Sequence, residues 1–130
     1  MSRLVAVILP IVFAACAGSP TSPSIDVMVT MPLGQTVAVT GTSVSLRFDA
    51  VKEDSRCPAN AMCVWAGQAV VSVTIRLASR EVTVELGSDP AARRTATAQG
   101  IRLQWVQLEP YPYAPVTAPP DYRVTLRVAR

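Results

Sequence analysis

Apolar and polar residues alternate along most of the chain after residue 24. In the clearest run, Val71, Val73 and Ile75 are separated by Ser72 and Thr74. This period of two predicts a strand with one face in a core. Similar runs begin at Ile25, Val44, Val82, Ile101 and Val124. No window shows a sustained apolar stripe of helical period, so we expect an all-β domain.

Turn-forming residues separate these runs at regular intervals. They lie at 32–34, 41–42, 78–79, 87–90 and 99–100. Seven or eight short strands between such turns predict a single small antiparallel β-sandwich of immunoglobulin-like outline, or a small barrel. The alternation slips phase after Trp105, which indicates a bulge or a strand covered on both faces. Residues 91–98 predict either one helical turn or an edge strand.

The N-terminal segment has the pattern of an export signal. Arg3 precedes twelve uncharged residues, Leu4 to Ala15, which are too few to span a bilayer and include Pro10. A buried helix is the alternative, but a proline in its interior would cost about 3 kcal/mol. We therefore predict a signal peptide at 1–15.

Cys16 directly follows this segment, in Phe13-Ala14-Ala15-Cys16. The sequence resembles the bacterial lipobox, which implies cleavage before Cys16 and its modification with acyl chains such as palmitate. Ala17 favours the outer membrane over retention in the inner membrane. The alternative is plain secretion, with Cys16 incidental. Residues 16–24 then form the lipidated cysteine and a flexible tether of Ser, Pro and Gly, and residues 25–130 form the β-sandwich domain.

Composition excludes several classes of function. The formal net charge is +3 and no basic patch has aromatic residues beside it, so we expect no nucleic-acid partner. The chain has no histidine, which removes Ser–His–Asp and Cys–His catalysis and the usual zinc sites. Glu53 and Asp54 are adjacent, so their carboxylates would face opposite sides of a strand. We therefore predict no catalytic residue, no metal and no cofactor.

Cys57 and Cys63 predict a local disulfide in an oxidising compartment. We expect this bridge to clip the loop between two core strands, with Trp65 packed on the bridge. Gly67 would permit a turn or a close approach of the backbone. The loop is either a structural crossover or a rigid platform that presents residues to a ligand or partner.

The segment Asp54-Ser55-Arg56-Cys57-Pro58, followed by Cys63-Val64-Trp65-Ala66-Gly67, resembles a motif of small bacterial lipoproteins and exported proteins of uncharacterised function. The match covers about 16 residues. The resemblance implies a lipid-anchored or exported β domain, and it implies no catalytic activity.

A second unusual segment, 109–122, holds five prolines and all three tyrosines. Prolines cannot donate to a sheet ladder, so we expect an extended loop before the last strand. Its tyrosines suit recognition, or they cover an open end of the sandwich. If this loop and the cysteine loop share an end, Arg56, Tyr111 and Tyr113 would form a basic-aromatic patch for an anionic or carbohydrate ligand or an acidic protein surface. Trp65 completes the candidate binding surface.

These patterns together predict a lipoprotein of the bacterial cell envelope that is not an enzyme. We expect a binding or structural module, with the membrane as one partner through the lipid and an envelope protein or carbohydrate as another. The alternative is an inhibitor of an envelope-attacking enzyme that uses the clipped loop. An enzyme of unknown type is the third possibility.

Overall fold

The computed structural model describes residues 24–115 and 120–130. The predicted signal peptide, Cys16 and all but the last residue of the tether lie outside these residues. Eight strands form in the described part of the chain, and no helix there could cross a membrane. The strands are β1 (Asp26–Pro32), β2 (Thr36–Ala38), β3 (Val44–Asp54), β4 (Ala69–Leu77), β5 (Arg80–Gly87), β6 (Thr95–Ala98), β7 (Ile101–Glu109) and β8 (Arg123–Ala129).

Two four-stranded antiparallel sheets pack face to face. One has the order β1-β8-β7-β6 and the other has the order β2-β3-β4-β5. The expected antiparallel sandwich is therefore confirmed, and the barrel alternative is wrong because the sheets do not close on each other. The stretch 91–98 provides an edge strand, β6, at its C-terminal end.

The alternating apolar residues fill the space between the sheets. Phe48 and Ile75 of one sheet and Leu103 and Leu126 of the other are fully buried. Each apolar side chain removed from water stabilises the fold by about 1.5–3 kcal/mol. Because alternate side chains of a strand face the core, segments with apolar residues at every second position form these strands. The predicted phase slip is a bulge, because the pairing of β7 with β8 shifts between Trp105 and Gln107.

Strand direction gives the sandwich two distinct ends. β3 and β7 finish at the same end where β4 and β8 begin. We call this the clip end, because the cysteine loop leaves from it. β1 begins at the opposite end, since Asp26 pairs with Ala129 and Pro32 pairs with Arg123. We call that the tether end, because Ser24 lies beside it.

Candidate functional site

The cysteine loop meets residues 110–115, which we call the tyrosine loop, at the clip end. The backbone N–H of Ala59 donates to the carbonyl of Pro112 at 2.9 Å. The side-chain amide of Asn60 donates to the carbonyl of Ala114 at 2.6 Å and accepts from its N–H at 2.8 Å. The two loops therefore share an end of the sandwich, a point that the sequence left open.

The predicted disulfide between Cys57 and Cys63 is present, with the two Cα atoms 5.8 Å apart. Below it, the β3–β4 pairing continues beyond the strands. The N–H of Ser55 donates to the carbonyl of Gln68 at 2.8 Å, and that of Cys57 donates to the carbonyl of Ala66 at 3.0 Å. The clip is therefore the outer part of a long hairpin, closed by a covalent bond.

Gly67 is required where the hairpin narrows. Its φ is +64°, and a Cβ atom there would lie 1.7 Å from the carbonyl oxygen of Ser55. Any other residue would combine left-handed backbone strain with a direct clash against main chain. The close backbone approach expected of this glycine is confirmed.

Arg56 is buried rather than presented to solvent. Only 9% of the residue is exposed, and its Nε and Nη2 donate to the carboxylate of Asp54 at 2.7 and 2.8 Å. Nη1 and Nη2 also donate to the carbonyls of Leu108 at 2.6 Å and Pro110 at 3.0 Å. Arg56 thus joins the end of β3 to the end of β7 across the two sheets. The expectation that Arg56 gives the surface a positive charge is wrong.

Asp54 completes this buried pair and is held in its charged form. Burial raises the pKa of the Asp54 carboxyl, but the hydrogen bonds from Arg56 and Tyr122 outweigh this effect and hold the pKa below its usual value. The phenol of Tyr122 lies 2.9 Å from the carboxylate. Burial and this bond raise the pKa of Tyr122. Arg56 is buried, and Asp54 and Tyr122 are partly buried beside it; we call the three residues the buried triad.

The tyrosine loop rests on the triad. The ring of Tyr111 lies over the guanidinium of Arg56, 5.0 Å from its carbon to the ring centroid. Tyr111 nevertheless keeps more than half of its surface in solvent, and so does Tyr113. A cation beneath an aromatic ring stabilises it by about 0.5–2 kcal/mol, so Tyr111 is held in place while its outer face stays open.

Trp65 does not pack on the disulfide, so that expectation is wrong. The residue is 82% exposed, and its neighbours Met62 and Val64 are more exposed still. The last backbone hydrogen bond of the hairpin joins Cys57 to Ala66. Met62, Val64 and Trp65 lie beyond this bond, where no paired strand remains to pack against them. We use "tip" for the exposed set Met62, Val64, Trp65, Tyr111 and Tyr113. Met62 and Val64 were not predicted, because an apolar residue in a loop carries no sign of which way it faces.

The tip is free of charge. Neither 57–68 nor 110–120 contains an acidic or basic residue. Since Arg56 is buried and paired with Asp54, the surface has no cation to offer an anionic ligand. The basic-aromatic patch is therefore an uncharged aromatic patch.

The two neighbouring carboxylates do not converge. The Asp54 carboxylate faces Arg56 and Tyr122, the other two members of the buried triad. The Glu53 carboxylate instead accepts hydrogen bonds from Ser55 and the amide of Gln68. Glu53 lines an open depression beside Ser88 and Asp89, and Asp54 does not line it. Within residues 24–115 and 120–130, no three metal-binding side chains come together.

Comparison of the chain with protein families, curated proteins and solved structures found no match in any of the three.

Proposed function

We propose that this chain is a non-enzymatic binding module of the bacterial envelope, anchored by lipid at Cys16, and that its tip binds an uncharged, largely apolar surface of an envelope protein. The observation that carries the proposal is the exposure of Met62, Val64 and Trp65 on loops that are otherwise rigidly held.

A large apolar side chain that stays in water contributes little burial energy to the fold. Burial explains the core, and the buried triad, the disulfide and Gly67 explain how the loops hold their shape. None of these features explains Trp65, which gives the fold almost no buried area. Tryptophan and tyrosine supply most of the binding energy at many protein interfaces, and a clustered exposed apolar patch is typical of such interfaces.

The rigidity of the loops favours affinity. Association loses free energy when it has to order flexible segments, and a surface fixed beforehand avoids that loss. The clip is fixed by the disulfide and by hydrogen bonds to Pro112 and Ala114. The tip therefore resembles, in physical terms, a preorganised recognition loop.

The chemistry of the tip favours a protein over a carbohydrate or an anion. Sugar recognition combines aromatic stacking with free polar groups that bond to hydroxyls. The amide of Asn60 is bonded to Ala114, and the amide of Gln68 is bonded to Glu53. The aromatic residues of the tip therefore have neither of these two amides free to bond a sugar hydroxyl. The flexible side chain of Met62 can instead adapt its shape to an apolar protein surface.

A second candidate is an inhibitor of an envelope-attacking enzyme. The favouring observation is that residues 58–65 project beyond the last hairpin pair as a narrow, disulfide-closed loop. Such a convex loop fits a concave cleft, and protease–inhibitor complexes use preorganised surfaces of this kind.

The proposed anchor and the proposed family rest on the sequence. The motif residues Asp54, Arg56, Cys57 and Gly67 each have a structural role here, so the resemblance favours a shared scaffold rather than a shared activity. We expect the mature protein to begin at Cys16 and to carry the mass of attached acyl chains. Intact-mass measurement tests this, and an unmodified N-terminus would contradict the anchor.

Site-specific photo-crosslinking in intact cells tests the tip. A photoreactive residue at position 64 should give a discrete protein adduct, and one at position 28, another exposed apolar site, should not. Trp65→Ser should reduce the position-64 adduct at least tenfold, while the matched control Met28→Ser leaves it unchanged. Both replaced side chains are more than half exposed, so neither variant should lower the melting temperature.

The outcomes separate the candidates. Equal adducts from positions 28 and 64, or an adduct that is insensitive to Trp65→Ser, would contradict tip binding. If the captured protein is a hydrolase, the purified chain should inhibit it and Trp65→Ser should relieve the inhibition. Retention on insoluble cell-wall glycan without any protein adduct would assign the tip to a carbohydrate instead.

A further inference from the structure

Arginines cluster on the outer face of the β1-β8-β7-β6 sheet, away from the tip. A depression of about 540 Å³ is lined by Arg94 and Arg127, and one of about 200 Å³ by Arg102 and Arg127. Asp26 and Gln104 line both depressions. The three arginines therefore border one continuous area in the half of the sheet that lies toward the tether end.

Arg80, the first residue of β5 in the other sheet, has its backbone carbonyl at the neighbouring β6–β7 turn. The side-chain amide of Gln99 donates to the carbonyls of Ile75 at 3.3 Å and Arg80 at 3.4 Å. Gln99 also forms the β6–β7 turn that leads into Arg102. We use "arginine face" for Arg94, Arg102 and Arg127, which line the depressions, together with the exposed Arg80 of the adjoining strand.

Positive charge on this face exceeds the nearby negative charge. Asp26 accepts two hydrogen bonds from Arg127, at 2.6 and 2.5 Å. Within the described part of the chain, no carboxylate lies within salt-bridge distance of Arg80, Arg94 or Arg102. Three exposed guanidinium groups are thus available to an outside anion.

The arginine face lies where the tether leaves the domain. Asp26 borders both depressions and follows Ser24, the last tether residue, by two positions. The eight residues 17–24 span at most about 29 Å when fully extended. A bilayer that holds acyl chains on Cys16 is therefore within reach of this face.

We propose that the arginine face binds the phosphate headgroups of anionic phospholipids in the bilayer that holds the anchor. This inference rests on the proposed lipid anchor, and it assigns a second membrane contact to the folded domain. Guanidinium groups form forked hydrogen bonds that match phosphate oxygens. Basic residues beside a lipid anchor strengthen attachment by attraction to anionic lipid.

A nucleic acid fits this face less well. Surfaces that bind single strands combine cations with exposed aromatic rings on which bases stack. Trp105 borders one depression but is 5% exposed, and the exposed aromatic residues of the described chain lie at the clip end. The face therefore has the charge for phosphate without a platform for bases.

The test uses vesicle co-sedimentation of the processed chain 16–130 carrying Cys16→Ser, so that no acyl chain dominates binding. This chain keeps all eight strands. The face variant is Arg80→Gln, Arg94→Gln and Arg102→Gln. The control variant is Lys52→Gln, Arg93→Gln and Arg123→Gln. It also removes three positive charges, but from the half of the domain at the clip end. Arg93 and Arg94 are adjacent, but Arg93 pairs with Glu85 of the other sheet.

We expect binding to phosphatidylglycerol vesicles and none to phosphatidylcholine vesicles. Each arginine near an anionic surface is worth about fivefold in partitioning, so the face variant should bind roughly a hundredfold more weakly. The control variant should stay within a few-fold of the parent chain. Emission from Trp65 should not shift on binding, because the tip lies at the other end.

Three results would overturn the proposal. They are no preference for anionic vesicles, an equal loss in both triple variants, and a blue shift of Trp65 that shows insertion of the tip. Tighter binding to an oligonucleotide than to the vesicles would assign the face to nucleic acid. Single Arg102→Gln, expected to weaken binding about fivefold, decides the matter if the triple variant fails to fold. The vesicle experiment uses an unlipidated chain and no protein partner. A negative result would therefore contradict the arginine face alone, because the tip and the anchor are tested by crosslinking and by intact mass.

Discussion

At the scale of residues, the clip end depends on a charge pair that the sequence does not reveal. Arg56 is a charged residue in a loop, so its residue type predicts exposure. Its carbonyl partners Leu108 and Pro110 follow 52 and 54 positions later, and only the fold brings them together. The pairing with Asp54 was predictable from proximity in sequence, but the burial of the pair was not.

Replacing Arg56 by Ala should lower the free energy of unfolding by about 3–5 kcal/mol, because it leaves the buried Asp54 carboxylate without its cation. Denaturant titration measures the loss. The matched control is Arg76→Ala, which breaks the exposed pair with Glu81 and should cost less than about 1 kcal/mol. Similar losses in the two variants would contradict the structural role of Arg56.

Acid should destabilise the domain through Asp54. The folded-state pKa of Asp54 lies below its ordinary value of 3.8, so its contribution is complete above that value and is lost as pH falls toward the lowered one. Stability measured between pH 6 and pH 2 should therefore drop most steeply below about pH 4. Asp54→Asn should flatten this part of the curve. Asp26→Asn should flatten it less, because solvent screens the exposed Asp26–Arg127 pair.

At the scale of elements, the sequence predicted the strands well and the loops poorly. Alternating residues gave the strands and the bulge after Trp105, because burial of one face imposes a period of two. No such constraint acts beyond Cys57 and Ala66, the last hairpin pair, so the direction of Trp65 could not be predicted. Gly67 was the exception, since a glycine at that point predicted a turn or a close backbone approach, and the structure has the close approach.

Removing the disulfide with Cys57→Ser and Cys63→Ser should lower the free energy of unfolding by about 2 kcal/mol, the loop-closure value for so short a segment. The sandwich should persist, because the core and the buried triad remain. Circular dichroism should show an unchanged β spectrum, and the denaturation midpoint should shift without a change in slope. Complete unfolding of the double variant would show that the clip supports the core as well as the tip.

At the scale of the whole molecule, strand order creates two distinct ends that no linear pattern shows. The sheet orders place the clip beside the tyrosine loop, and they place the start of β1 at the opposite end. The nine residues of β7 span about 30 Å, so the tip and the tether exit are separated by roughly that distance. Both loops were predictable from the sequence. Their juxtaposition and the arginine face were not, because both depend on strand order.

The absence of charge at the tip has a kinetic consequence. Without long-range attraction, a partner of the kind proposed would meet the tip by unguided diffusion, with an association rate constant of about 10⁵–10⁶ M⁻¹s⁻¹. Affinity must then reside in slow dissociation from a dry aromatic contact. Surface plasmon resonance with the captured partner should give an association rate that changes less than twofold between 50 and 500 mM salt. A steep salt dependence would show that charges outside the tip steer the encounter.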